Sequence, residues 1–236
     1  MPKHGKRFDK MIEGFDSASA YNLDEAIKMV KKFATSKFDE TVELVVNLGI
    51  DPKKADQQLR GTVSLPNGTG KTVRIAVFAE GELATEAEEA GADIVGSEDL
   101  AKKISEGFMD FDLAIAAPDM MRHVGRLGKV LGPRGLMPNP KTGTVTKDIG
   151  KAVEEFKAGR IEYRANKSGG VHMPVGKASF DENQLMGNLQ MIIRTLLRAK
   201  PASAKGSYML SMYLSTTMGP GVKVETSTIR DFASAA

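Results

Sequence analysis

Val73-Arg74-Ile75-Ala76-Val77-Phe78-Ala79 is a largely apolar run of strand length, and it decides the fold class. Helix and strand patterns alternate after it, at 82–90 (helix), 94–95 (strand), 97–106 (helix), 113–117 (strand), from Pro118 (helix) and 148–158 (helix). Short apolar strands that alternate with helices are typical of a parallel sheet covered on both faces. The sequence therefore predicts an α/β domain in this region.

The chain on either side of this region follows a different pattern. Strands are predicted at 38–50, 62–65, 160–165, 171–175, 208–214 and 222–225, and helices at 3–13, 23–35 and 181–199. Within the first strand, Val42, Leu44, Val46 and Leu48 alternate with polar residues, which indicates one buried face.

Local signals refine these predictions. Asn22 and Glu25 have the spacing of a capping box, and Asp181 is placed to cap the long helix. Residues 166–170 have the composition of a hairpin-like turn between the strands that flank them.

The change of pattern predicts an inserted domain. Residues 68–159 are expected to form the α/β domain, and residues 1–67 plus 160–236 a discontinuous α+β domain that neither half completes alone. The insert carries 12 Lys and Arg against 15 Asp and Glu, whereas the split domain carries 21 against 15. The resulting charge of +6 fits a phosphate-facing surface, and it fits an ordinary solvated surface equally well.

The composition excludes several classes of site. The chain contains no Cys, which excludes disulfides and thiolate metal sites, and its 3 His are far apart in sequence. We therefore expect no metal site and no cofactor. The N-terminus lacks the apolar stretch of a signal peptide, and no run reaches membrane-spanning length, so a cytoplasmic location is expected.

Two segments that resemble enzyme motifs lack residues that those motifs require. Gly68-Thr69-Gly70-Lys71-Thr72 resembles the end of a phosphate-binding loop, but Leu65 stands where that motif requires Gly and a strand pattern follows. The first strand of the insert leads into Glu80-Gly81-Glu82 instead of a glycine-rich dinucleotide fingerprint. Since no acid–base constellation is visible either, we predict that the chain is not an enzyme, with a nucleotide-binding α/β enzyme as the alternative.

A glycine- and proline-rich segment at 125–145 carries four cations, Arg126, Lys129, Arg134 and Lys141. Cations on a shaped loop are suited to contact a phosphate backbone, so the segment is a candidate secondary RNA site. Its apolar residues suit a structured connector packed on the insert equally well, and the residues alone leave both interpretations open.

Leu131-Gly132-Pro133-Arg134-Gly135-Leu136-Met137-Pro138-Asn139-Pro140-Lys141-Thr142-Gly143-Thr144-Val145 closely resembles the signature of the ribosomal L-one family, whose members form the mobile lateral stalk of the large ribosomal subunit. Further segments resemble the bacterial members, at 38–43, 51–52, 60–66, 109–112, 176–180 and 216–220. The resemblance thus extends over nearly the whole chain.

This resemblance implies a two-layer split α+β RNA-binding domain with an inserted Rossmann-like three-layer α/β domain. It implies binding to large-subunit rRNA, help in the movement and release of deacylated tRNA from the exit site, and repression of the chain's own operon mRNA. A free translational regulator that rarely joins the ribosome is the rival interpretation. We expect a ribosome-bound protein, monomeric when free and without a membrane partner, whose interdomain crossings at 65–70 and 159–160 act as a hinge.

The resemblance also implies RNA-binding residues on the split domain, which are Phe38, Glu43, Lys167, Ser168, His172, Ser211, Thr217, Met218 and Gly219. Hydroxyl groups can bond ribose 2′-OH groups, lysine faces phosphate, and Phe or Met contacts a sugar or base.

Each residue type has a structural alternative. The parity of Phe38 with Val42 favours a core position, Met218 suits a core plug, and Thr217 suits the capping of a turn amide. His172 is equally compatible with an ordinary strand position.

Overall fold

The computed structural model describes residues 5–226. The chain divides into two compact units. The first unit is built from both ends of the chain, up to Gly70 and from Ile161 onward, and the second is the continuous segment Lys71–Arg160.

The helices and strands follow the predicted order, with β1 shorter than predicted and β7 and β8 longer. Before the second unit they are α1 Lys6–Met11, α2 Leu23–Phe33, β1 Thr41–Leu48 and β2 Arg60–Ser64. Within it they are β3 Ile75–Phe78, α3 Glu82–Glu89, β4 Ile94–Gly96, α4 Glu98–Ser105, β5 Leu113–Ala116, α5 Met121–Val124, α6 Gly128–Leu131 and α7 Ile149–Lys157. From the second crossing onward they are β6 Arg160–Arg164, β7 Gly170–Lys177, α8 Glu182–Arg198, β8 Met209–Thr216 and β9 Val222–Val224.

The first unit contains a four-stranded antiparallel sheet of order β7-β1-β8-β9. Its N-terminal strand β1 lies between two strands from the C-terminal part of the chain, so the sheet forms only when both ends come together. The predicted alternation in β1 is confirmed, because Val42, Leu44, Val46 and Leu48 are all buried. They share one apolar core with buried residues of α2 and α8.

The second unit contains a parallel sheet of order β4-β3-β5. The chain moves from β3 outward to β4 and then back past β3 to β5. Because parallel crossovers are right-handed, this reversal places α3 and α4 on opposite faces of the sheet. The predicted three-layer α/β arrangement is thereby confirmed, with Phe78, Ile115 and Ile104 fully buried between the layers.

Several local predictions are wrong. Residues 166–170 do form a turn, but the flanking strands are not a hairpin, because β6 pairs with β2 and β7 pairs with β1. The Asn22 side chain makes no capping hydrogen bond, whereas Asp181 and Gln184 form a capping box in which the Asp181 amide donates to Gln184 Oε1 at 3.0 Å. The helix expected from Pro118 is a succession of short helical turns that reaches Leu131.

Candidate nucleic-acid interface

The four-stranded sheet has one apolar and one polar face. Alternate residues of β1 point away from the core, and so do their cross-strand neighbours in β7, β8 and β9. These outward residues are exposed or half-buried, and we call them the polar sheet face: Thr41, Glu43, Val45, Asn47, His172, Pro174, Ser211, Tyr213, Ser215 and Lys223.

One row of the polar sheet face crosses all four strands. Val45 is paired with His172 on one side and with Tyr213 on the other, and Tyr213 is paired with Lys223. The row combines an imidazole, a phenol ring and an ammonium group, which suit base stacking and phosphate contact. Tyr213 and Lys223 were missed from sequence, although Tyr213 has the opposite parity to the buried Met212 and Leu214.

The neighbouring rows carry carboxylate, amide and hydroxyl groups. Ser211 lies opposite Asn47, whose Nδ2 donates to Ser211 Oγ at 3.0 Å, so the serine hydroxyl keeps its own proton for another acceptor. Glu43 lies between Pro174 and Ser215 and is exposed. Of the sequence-predicted residues, Glu43, His172 and Ser211 therefore share this face.

Phe38, Thr217, Met218 and Gly219 come together where β1 begins and β8 ends, and we call them the turn cluster. Phe38 is 55% exposed, which contradicts the core position that its parity favoured. Met218 is 49% exposed, so it does not plug the core. Two large apolar side chains thus face solvent beside a polar surface, an arrangement typical of a binding site.

Hydrogen bonds and close packing fix the backbone of the turn cluster. Thr217 Oγ1 accepts from the Thr41 amide at 3.0 Å, so the structural role considered for Thr217 is present. The hydroxyl also donates to the Thr41 carbonyl oxygen at 3.4 Å, and the exposed residue retains one acceptor site for a further donor. A side chain at Gly219 would overlap the hydroxyl of Thr216, so the turn requires Gly at this position.

A buried carboxylate lies beneath the turn cluster. Glu40 is 1% exposed, and its two oxygens accept from the amides of Ser36 and Met218, each at 3.0 Å. Burial disfavours the charged form, but the hydrogen bonds from Met218 and Ser36 outweigh it and hold the pKa of Glu40 below its ordinary value.

Lys167 and Ser168 lie at the opposite end of β1, in the turn before β7. Asn166 Oδ1 accepts from the amides of Ser168 and Gly170, at 2.9 and 2.8 Å, and this leaves both Lys167 and Ser168 exposed. Gly169 closes the turn with a φ of 81°, and its carbonyl oxygen accepts from the Leu48 amide at 3.0 Å.

The predicted RNA-binding residues therefore form a line and not one compact pocket. The turn cluster lies at the start of β1, the polar sheet face lies along it, and Lys167 lies at its end. An eight-residue antiparallel strand spans roughly 25 Å. The line is long enough to contact several nucleotides.

The segment at 125–145, here called the cationic loop, is held by packing on the core of the second unit and by its own hydrogen bonds. Leu131 is fully buried, and Leu136 and Met137 pack on the core of the second unit, as the connector interpretation requires. Asn139 Oδ1 accepts from the Lys141 amide at 2.8 Å. All four cations of the loop are exposed, and within residues 5–226 none of them forms an ion pair, so both interpretations remain compatible with the structure.

The segment that resembles a phosphate-binding loop has a different partner. Lys71 donates to Asp112 Oδ1 at 2.7 Å, and the chain continues into β3 without forming a helix. Hydrogen bonding from Lys71 and from the Arg74 amide lowers the pKa of Asp112. Within residues 5–226, no cluster of His, Cys, Asp and Glu has a metal-binding arrangement. None of the helices in that range is both long and apolar enough to span a bilayer.

Comparison with known proteins agrees with the sequence resemblance. The sequence profile of the Ribosomal protein L1p/L10e family matches residues 30–220. The chain is 56% identical over 230 residues to the large ribosomal subunit protein uL1 of Thermosipho melanesiensis, an alignment that covers 97% of this chain and 99% of that protein. The chain therefore belongs to the ribosomal protein L1p/L10e family and is a ribosomal protein that binds rRNA.

Proposed function

We propose that the turn cluster, the polar sheet face and the Lys167 turn together bind folded rRNA of the large ribosomal subunit and so form its lateral stalk. The observation that carries this proposal is the exposure of Phe38 and Met218 beside the Thr217 hydroxyl, at one end of a polar sheet face. Two large apolar side chains beside each other at the end of a polar face form an apolar patch that an RNA partner can cover with sugars and bases.

The chemistry of this surface suits RNA better than DNA. The hydroxyls of Thr217, Ser211 and Ser215 and the carboxylate of Glu43 can bond 2′-OH groups, which DNA lacks. Lys167 and Lys223 supply phosphate contacts that position the RNA and make its affinity depend on salt. Recognition on this surface rests on shape and sugar hydroxyls.

The finer roles follow from the same surface and from the chain path. An mRNA segment that folds like the rRNA site would occupy the same residues, which is how the protein represses translation of its own operon. Only two crossings, at Gly70–Lys71 and Arg160–Ile161, connect the units. Two thin connections permit relative motion of the units, and this motion assists the movement and release of exit-site tRNA.

Ribosome co-sedimentation at moderate salt tests the main proposal. We expect the wild-type protein to sediment with large subunits, and the double variant Phe38→Ala, Met218→Ala to remain in the supernatant while keeping its melting temperature. Equal sedimentation of the variant would overturn the proposed surface. Cross-linking the two units tests the tRNA role, because unchanged tRNA release from cross-linked ribosomes would contradict it.

The cationic loop is the second RNA surface that we propose, because its four cations are exposed on a segment that packs on the core of the second unit and carries its own hydrogen bonds at 139–144. Replacing Arg126, Lys129, Arg134 and Lys141 with Ala should weaken RNA or tRNA association without lowering the melting temperature. If the connector interpretation alone holds, association will be unchanged.

A further inference from the structure

Glu40 is the only charged residue that is buried among residues 5–226. It lies between the turn that carries Phe38 and the turn that carries Met218. Burying a carboxylate is costly unless it receives strong hydrogen bonds, so a carboxylate at this position must have a specific partner.

Two backbone amides hold the carboxylate of Glu40, and hydrogen bonding from the Ser36 and Thr216 side chains also lowers its pKa. Oε1 accepts from the Ser36 amide and Oε2 from the Met218 amide, each at 3.0 Å, across a sequence separation of 178 residues in the second case. The carbonyl oxygen of Glu40 accepts from the Ala178 amide at 2.8 Å. One residue therefore joins three chain segments that are distant in sequence.

No cation among the described residues forms an ion pair with Glu40. Its charge is stabilised by hydrogen-bond donors of the two turns, chiefly the Ser36 and Met218 amides, together with the side chains of Ser36 and Thr216. A carboxylate has two acceptor oxygens and no donor, whereas a Gln side chain has one acceptor oxygen and an NH₂ group. Because the Ser36 and Met218 amides both donate, the oxygen of a Gln side chain could accept from one of them, but its NH₂ group would face the N–H of the other.

We propose that Glu40 is a positioning residue for RNA recognition: it fixes the Ser36–Phe38 and Met218–Gly219 turns in the arrangement that RNA binds, without touching the RNA itself. The inference rests on the proposed role of the turn cluster. Glu40 is covered by the two turns that it holds, so an RNA bound on the exposed side of Phe38 and Met218 reaches those side chains and not the carboxylate.

The test is a double-mutant cycle between Glu40→Gln and Met218→Ala, read as affinity for a large-subunit rRNA transcript. We expect each single variant to bind about tenfold more weakly. If Glu40 acts through the Met218 turn, adding Glu40→Gln to Met218→Ala should cost much less than its effect in the wild-type background. If Glu40→Gln instead weakens binding through a general loss of stability, the fold-losses in affinity of the two single variants should multiply in the double variant.

Glu162→Gln is the matched control. Glu162 lies in β6 of the same unit, forms an ion pair with Arg60 at 2.7 Å and is outside the turn cluster. We expect this variant to bind rRNA like the wild type. Equal weakening in Glu162→Gln and Glu40→Gln would overturn the inference.

The remaining outcomes are also decisive. If wild-type protein does not bind the transcript, the proposed function fails. If Met218→Ala is weakened but the two effects multiply, only the role of Glu40 fails. Should Glu40→Gln not fold, hydrogen exchange of the Met218 amide in wild-type protein decides: protection supports the proposal, and exchange at the rate of a free amide contradicts it.

Discussion

Thr41 and Thr217, which are 176 residues apart in the chain, are joined by reciprocal hydrogen bonds: the Thr41 amide donates to Thr217 Oγ1 at 3.0 Å, and the Thr217 amide donates to the Thr41 carbonyl oxygen at 3.1 Å. The pair lies where the first strand of the chain meets the end of β8. The surface that we assign to RNA is therefore created by closing the two ends of the chain on each other.

Replacing Thr217 with Ala should weaken rRNA binding by about 1–3 kcal/mol, the scale of a lost nucleic-acid contact. The hydroxyl accepts from the Thr41 amide and donates to the Thr41 carbonyl oxygen, and its remaining acceptor site can bond a 2′-OH group of RNA, so we expect the variant to lose affinity and some stability of the turn. Titration of a large-subunit rRNA transcript measures the effect.

Two further variants control the Thr217 experiment. Thr217→Ser keeps the hydroxyl and should retain most of the affinity. Lys71→Ala removes a cation that is paired with Asp112 in the other unit, and it should leave rRNA affinity nearly unchanged. A larger loss from Lys71→Ala than from Thr217→Ala would place the RNA surface elsewhere.

Tyr213 should contribute a stacking contact on the polar sheet face. Its ring lies between Val45 and Lys223 and is half-buried, so one part of it is available to a base. We expect Tyr213→Ala to weaken rRNA binding by about 1–3 kcal/mol and Tyr213→Phe to retain the affinity, because the ring and not the hydroxyl carries the contact. The same titration measures both variants, and an equal loss in both would indicate a hydrogen bond instead of stacking.

The alternation in β1 was sufficient to predict which residues enter the core, because period two is a local property of a strand. It failed for Phe38, since β1 begins only at Thr41 and parity has no meaning outside the strand. Period two is also interrupted in β8, where Leu210 is exposed because the register between β1 and β8 shifts between Asn47 and Leu48. Strand ends and register shifts depend on the partner strand and are not encoded locally.

Strand pairing is the second feature of the fold that the sequence did not predict. Residues 166–170 were predicted as a hairpin turn, and the turn forms, but the strands on either side join different sheets. Turn composition fixes the local path, whereas the choice of partner depends on which faces become buried in the complete unit. Similarly, the RNA-binding residues were predicted from family resemblance, while Tyr213 and Glu40 became visible only from cross-strand register and backbone hydrogen bonds.

Asn188 should be the most sensitive polar position for the stability of the first unit. This fully buried residue of α8 donates to the carbonyl oxygens of Val175 and Gly68, at 2.7 and 2.9 Å, and accepts from the Asn67 amide at 3.1 Å. Asn188→Ala leaves these backbone groups without their partner, and we expect a loss of about 2–4 kcal/mol in the free energy of unfolding.

Urea denaturation measures the Asn188 effect. Asn183→Ala, at an exposed position of the same helix, is the matched control and should change stability by less than about 0.5 kcal/mol. A similar stability of the two variants would mean that water replaces the lost hydrogen bonds.

Asp112 should make the second unit sensitive to acid. Hydrogen bonds from Lys71 and from the Arg74 amide lower the pKa of its carboxyl group in the folded state. A lowered folded-state pKa means that the unfolded chain binds the proton more readily, so the contribution is present in full above the unfolded value of about 4 and is lost as pH falls through the folded value. Asp112→Asn should therefore lower the free energy of unfolding by about 1 kcal/mol at neutral pH, given the partial exposure of the pair, and by progressively less below about pH 4.

Urea denaturation of the wild type and of Asp112→Asn across this pH range measures the difference in the free energy of unfolding. A difference that stays constant with pH would show that the Asp112 carboxylate is not the source of the effect.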